Sequence, residues 1–323
     1  MSWTLAELSK IETDTLRKSI IDAFIMESNV AELIPWETIG ALATTIVRYQ
    51  DLPSVGFRKI NEGYAESTGK FEQKVENISL CGLDIDTDKA VARAKNTIAD
   101  ARAIQQVMSM KAMSFSFNDK FINGDPQDNP EEYKGLSKRV DNINSEGYTD
   151  QYIDLADTTD SGILRTTAAR HAFLDKLDNL IYSIKGHNPD YLLMNKKMLL
   201  ALRSLLRQEK LLDNTRDMFD RVVDVYQGAR LVDIGVKSDQ TTEIITNTET
   251  LGGGSAETSI YAVKFGIGDM LWGIQEYPLE VEDLGELQTA PKYRTRVDWP
   301  LGLAITDPRS VGRLYGIRAD STA

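Results

Sequence analysis

Cysteine is nearly absent from this chain. The single residue in 323, Cys81, excludes an internal disulfide, and a small side chain ending a strand is a better reading of it than a reactive thiol. Histidine is almost as scarce. His171 falls in an amphipathic helical stretch and His187 in a Gly-His-Asn-Pro turn, and neither has a nucleophile pattern beside it, so both read as structural or solvent-facing. There is no G-x-S-x-G, no Gly-rich lysine loop for phosphates and no H-E-x-x-H. No apolar run approaches the ~18 residues of a membrane span. Positive charge is short as well: 37 Lys and Arg stand against 49 Asp and Glu, a net charge of −12, which excludes general attraction to nucleic acid or anionic lipid. The opening MSWTLAELSKIETDT lacks the basic-then-apolar order of a signal peptide, so the chain is expected to stay in the cytoplasm where it is made.

The carboxylates are plentiful, but none pair by spacing into an acid–base set. Asp84-x-Asp86-x-Asp88 begins like a calcium loop, which then needs Gly at its sixth position and Glu at its twelfth. Lys89 and Lys95 stand there instead, so these aspartates are read as favouring a helix N-terminus. No catalytic residue, cofactor or metal is expected, and nothing supports an enzyme.

What is present is a long helix. Asp88 to Asn123 runs without Gly or Pro, and Val91, Ala94, Ile98, Ala101, Ile104, Met108, Ala112 and Phe115 recur at three- and four-residue steps, placing them on one face. Arg93, Asp100, Arg102, Gln106 and Lys111 fill the other positions, and Asn123-Gly124 supplies a stop. Such a helix would be roughly 50 Å long, far beyond the usual ~11–12 residues. It is expected to be the spine of the molecule.

Around it the chain alternates in character. Thr4 to Met26 is amphipathic with no packing partner nearby, like an arm. Thr38 to Tyr49, Phe57 to Tyr64 and Lys70 to Leu80 read as strands separated by turn material. In the last of these Lys70, Glu72, Lys74 and Glu76 form a charged face and Phe71, Gln73, Val75 and Asn77 a half-apolar one. A hairpin this polar has no core of its own; it either lies on the body or projects and is held by a neighbouring copy, and the pattern does not choose. Gly124 to Leu136 is a turn-rich ordered loop, and residues 140–160 read as loop or weak strands. Helices are expected over Thr166 to Ile184 and from Asn195 through Leu206. Strands are expected at Tyr191 to Met194, Val222 to Val236 (broken near Gln227-Gly228), Glu243 to Asn247, Ser259 to Phe265, Leu279 to Leu284, Tyr293 to Trp299, Gly302 to Thr306 and Val311 to Ile317.

Taken in order, the whole chain resembles the tailed-phage major capsid proteins of the Hong Kong 97 fold. The resemblance rests on the arm, on Trp36-Glu37 opening a long hairpin, and on Phe57-Arg58-Lys59-Ile60-Asn61-Glu62-Gly63-Tyr64. It continues through the spine, Phe121-Ile122-Asn123-Gly124-Asp125-Pro126 with Tyr133-Lys134-Gly135-Leu136, and the extended stretch Gly273 to Thr306. It implies an α+β fold with an N-terminal arm at 1–35, an extended β-hairpin loop at 36–83 and a peripheral domain with the long spine helix at 84–140. An axial α+β domain follows at 141–275, and C-terminal strands at 276–323 return to both domains. It further implies self-assembly through hexamers and pentamers into an icosahedral virion capsid enclosing double-stranded DNA, contacted non-specifically, with assembly in the host cytoplasm and no membrane. Portal, scaffolding and decoration proteins are the implied partners; no acidic scaffolding segment precedes the arm, so any scaffold would be a separate protein. The resemblance makes Arg58, Lys59, Glu62, Tyr64, Glu66, Lys70, Asp125, Asn129, Arg294 and Arg296 inter-subunit contacts. It also places the hairpin on an adjacent subunit, so deleting 54–76 is expected to leave a soluble protein that does not assemble. An encapsulin-like compartment shell, with the same fold around protein cargo, is the alternative.

Overall fold

The computed structural model describes residues 28, 30–93, 101–155, 162–164, 166–211, 213–216, 222–254 and 256–319. Two sheets form the body. In the first, β1 (Trp36–Thr38) pairs in parallel with β11 (Leu271–Gln275), and β11 pairs with the 14-residue β13 (Lys292–Ile305). The other partners of β13 are β12 (Glu280–Glu286) and β4 (Ser79–Asp88). The second sheet runs β5 (Tyr152–Asp154), β14 (Val311–Ile317), β10 (Thr258–Val263), β6 (Tyr191–Met194), β9 (Ala229–Asp233), β8 (Val222–Tyr226), β7 (Asp213–Arg216). Apart from both stands a two-stranded ribbon, β2 (Ala43–Asp51) with β3 (Lys70–Asn77).

Strand alternation divides the side chains of the second sheet between two clusters. On β6 and β10, Leu192, Met194, Ile260 and Ala262 face α4 (Thr167–Ser183) and α5 (Lys196–Gln208). Leu193, Tyr261 and Val263 point the other way, into the cluster that holds the first sheet. Thr166 and Asn195 cap those helices by accepting from the amides of Ala169 and Met198. At the centre of the larger cluster, Trp36 and Trp299 lie 4.7 Å apart and Phe117 sits 5.5 Å from Trp299. Gly273 is required here, because a Cβ on it would lie 2.4 Å from the Trp36 ring.

The spine appears as α1 (Lys89–Arg93) and α2 (Ala101–Asn123), with residues 94–100 outside the described set. The apolar face picked out by the spacing is not the buried one. Gln106, Met110, Met113, Phe117 and Phe121 point into the core, and Gln106 donates to Thr295 Oγ1 at 3.3 Å. Ile104, Met108 and Ala112 are exposed. The helix carries two apolar stripes, and the periodicity selected the outer one.

Other expectations are corrected too. Asp84 and Asp86 lie on β4 and not at a helix start; only Asp88 caps, accepting from the Ala90 amide at 2.7 Å. Gly40, with φ of 60°, ends β1 and sends the chain into a separate ribbon, dividing the strand expected from Thr38 to Tyr49. Phe57 to Tyr64 forms no strand but a turn at Ile60 and Asn61. Residues 140–160, expected as loop or weak strands, begin inside α3 (Leu136–Ser145), which buries Leu136, Val140 and Ile143. Glu243 to Asn247 makes only an isolated bridge to Val236. The two strands expected between Tyr293 and Thr306 are one, running through Pro300. Cys81 lies within β4, half-buried, and burial raises its thiol to about 11. The arm expected at 1–35 lies largely outside the described residues. Its end is tucked in: Val30, Ala31 and Ile34 are buried, and Ser28 donates to Asn118 of α2 at 2.7 Å.

Candidate functional site

Among the described residues no cluster of His, Cys, Asp or Glu could hold a metal ion. The candidate site is a surface. In the ribbon, Thr44, Ile46 and Arg48 of β2 lie opposite Glu76, Lys74 and Glu72 of β3, and this face turns toward the subunit's own body. Ile46 packs on Trp272, Ile274 and Ala304. The opposite face carries Thr45, Val47 and Tyr49 against Val75, Gln73 and Phe71, and all six are exposed. The charged face therefore docks inward and the apolar face looks out. This is the reverse of an ordinary surface hairpin.

Beyond the strands the chain has almost no support. Residues 52–73 are all exposed, including Leu52, Val55 at 92%, Phe57 at 107% and Ile60 at 90%. Within this tip, Ser54 N donates to Ser67 Oγ at 2.8 Å, Arg58 Nη1 to Glu62 O at 3.2 Å and Lys59 N to Glu62 Oε2 at 3.3 Å. The Arg58 guanidinium stands 5.1 Å over the Tyr64 ring. Arg58, Lys59, Glu62 and Tyr64 are thus brought together, with Glu66 and Lys70 exposed nearby. So many exposed large apolar side chains in one hairpin are unusual for the surface of a soluble monomer.

The remaining expected contact residues are engaged within the chain. Asp125 accepts from the Gln127 amide at 3.0 Å and pairs with Lys138 at 2.9 Å; those bonds, the lysine's first, hold its carboxyl below the usual range. Asn129 donates to Glu132 at 3.0 Å. These residues form the loop whose ends meet where Gly135 N donates to Gly124 O at 2.8 Å, and a Cβ on Gly124 would lie 2.4 Å from Tyr133 O. Arg294 and Arg296 on β13 stand opposite Asp86 and Asp84 on β4 and form two-pronged pairs at 2.7–3.0 Å. Hydrogen bonds from these arginines lower both carboxyl groups. Sequence reasoning did not read Ile104, Val107 and Met108 of α2, all about half exposed or more, as a surface, although Ile104 and Met108 lie on the very stripe that its periodicity selected.

Residues 14–163 match the family model described as Major capsid protein GP7. No curated protein sequence matches the chain. Among solved structures, the holo-SrpI encapsulin complex from Synechococcus elongatus PCC 7942 is similar with a TM-score of 0.64 and 14% identity, over 98% of this chain and 97% of that one. The capsid of a native GTA particle gives 0.61 and 12%, over 90% of each chain. A solved structure from Mycobacterium phage Bobi gives 0.57 and 11%, over 89% of each chain.

Proposed function

We propose that this chain, a tailed-phage major capsid protein of the Hong Kong 97 fold, joins copies of itself as pentamers and hexamers into an icosahedral head around double-stranded DNA, assembled in the host cytoplasm. The observation that carries the reading is the hairpin. Its apolar face and its tip expose Val47, Tyr49, Val55, Phe57, Ile60 and Phe71, and a second copy is the natural cover for a surface that every subunit both presents and must bury. A heterologous contact of this kind, repeated around a closing rotation, makes rings. The net charge of −12 suits a container wall that must not bind its DNA. Portal and scaffolding proteins, and a decoration protein, would be further partners. The likeness to the encapsulin complex is one of fold and does not favour a protein-cargo compartment.

The test is negative-stain microscopy of the purified protein, expressed alone and with its neighbouring genes. Closed angular shells of uniform size are expected. Replacing 55–66 with a short Gly-Ser turn keeps β2 and β3 intact, and this variant is expected to remain a soluble, folded subunit that forms no shells. Intact shells from it would refute the hairpin's role, and small discrete particles from the unmodified protein under every condition would refute the capsid reading.

A further inference from the structure

On its inner side the ribbon buries a single apolar residue, Ile46, so an apolar core does not fix the direction in which it leaves the body. Two buried arginines do. Arg139, on α3 and 5% exposed, donates to both carboxylate oxygens of Glu76 on β3 at 2.8 and 2.9 Å. The same guanidinium donates to Leu303 O at 2.6 Å and Lys134 O at 2.9 Å. Arg48, on β2 and 8% exposed, donates twice to Ile305 O, at 3.0 and 2.6 Å, and stands 3.6 Å from Glu146 just past α3. The arrangement is reciprocal: a hairpin arginine meets a body glutamate, and a body arginine meets a hairpin glutamate.

Both arginines also hold β13. The ladder of β4 with β13 stops at Leu301. The next carbonyls used, those of Leu303 and Ile305, are two residues apart on the strand and so are directed alike. Around this pair lie Lys74, which also reaches Glu146, and Glu72, 3.8 Å from Lys74. Lys134 completes the cluster; burial first, and Arg139 second, lower its pKa. Removing one partner would leave a buried charge uncompensated, so the seated arrangement is strongly preferred to intermediate ones. The planar fork of arginine makes these simultaneous bonds, and lysine cannot.

We infer that Arg48 and Arg139, with Glu146 and Glu76, form a clamp that sets the angle at which the hairpin projects and thereby the geometry in which copies of this chain meet. The inference rests on the proposed assembly through the hairpin. Its test uses Glu76→Gln and Arg139→Lys, with Glu72→Gln as a control on the same face. Amide exchange at 43–48 and 70–77 is read on the unassembled subunit, and particle diameter on the assembled product. The two clamp variants are expected to raise exchange about tenfold, as for loss of one charge-assisted bond, and to give shells of mixed diameter or open sheets. The control is expected to change neither. Wild-type exchange in both variants, or raised exchange with shells of uniform wild-type diameter, would overturn the clamp. If the unmodified protein forms no shells, the assembly reading fails, and unchanged exchange in both variants would still refute the clamp on its own.

Discussion

At Gly273 the first sheet approaches the Trp36 ring so closely that any Cβ would lie 2.4 Å from it. Gly273→Ala is therefore expected to destabilise the subunit by about 1–3 kcal/mol through overpacking, read as a lower Tm of the unassembled protein. The cross-strand aspartates make a different demand. Hydrogen bonds from Arg296 and Arg294 depress Asp84 and Asp86 below their ordinary 3.8. A depressed carboxyl contributes stability above its unfolded pKa and loses it as pH falls through the folded one. Asp86→Asn is expected to lower Tm at neutral pH and to flatten the fall of Tm below about pH 4, checked by a pH series of melts. Neither role was legible in the sequence. Gly273 carries no turn signal, and the three alternating aspartates fit a helix start as well as they fit a strand, because the arginines that decide the matter lie more than 200 positions away.

Among the elements, the spine shows most clearly what periodicity supplies. Absence of Gly and Pro and the three-and-four spacing made the helix legible. They did not say which stripe faces inward, since Gln106-Met110-Met113-Phe117-Phe121 and Ile104-Met108-Ala112-Phe115 are both helical faces. Only the position of β13, whose Thr295 receives the Gln106 side chain, settles it. The two stripes separate by mutation. Met110→Ala, in the core, is expected to cost about 2–5 kcal/mol in unfolding free energy. Met108→Lys, 64% exposed, is expected to shift subunit stability by no more than about 0.5 kcal/mol while reducing the yield of shells, as measured by denaturant melts alongside sedimentation. The ribbon follows the same logic. Its alternation was readable, but the inward direction of its charged face was not, because Arg139 lies on α3 and Glu146 just past it, and no helix was expected there.

For the molecule as a whole, the order of hairpin, spine helix and returning strands was legible, and it is this order that carried the fold. The pairing was not. β1 joins β11 across more than 230 residues, and β14 closes the second sheet from the C-terminal end of the chain; no local pattern announces either contact. One feature of that pairing has a mechanical meaning. β4 and β13 run antiparallel in unbroken register from Ser79↔Leu301 to Asp88↔Lys292, with the arginine–aspartate pairs lying across the same seam. A pull along these strands loads every hydrogen bond of the ladder at once, in shear, instead of peeling them one after another. The seam is thus the stiff member of the subunit and the unsupported hairpin tip its compliant one, so a wall built from such subunits would bear tension through the first and absorb mismatch through the second.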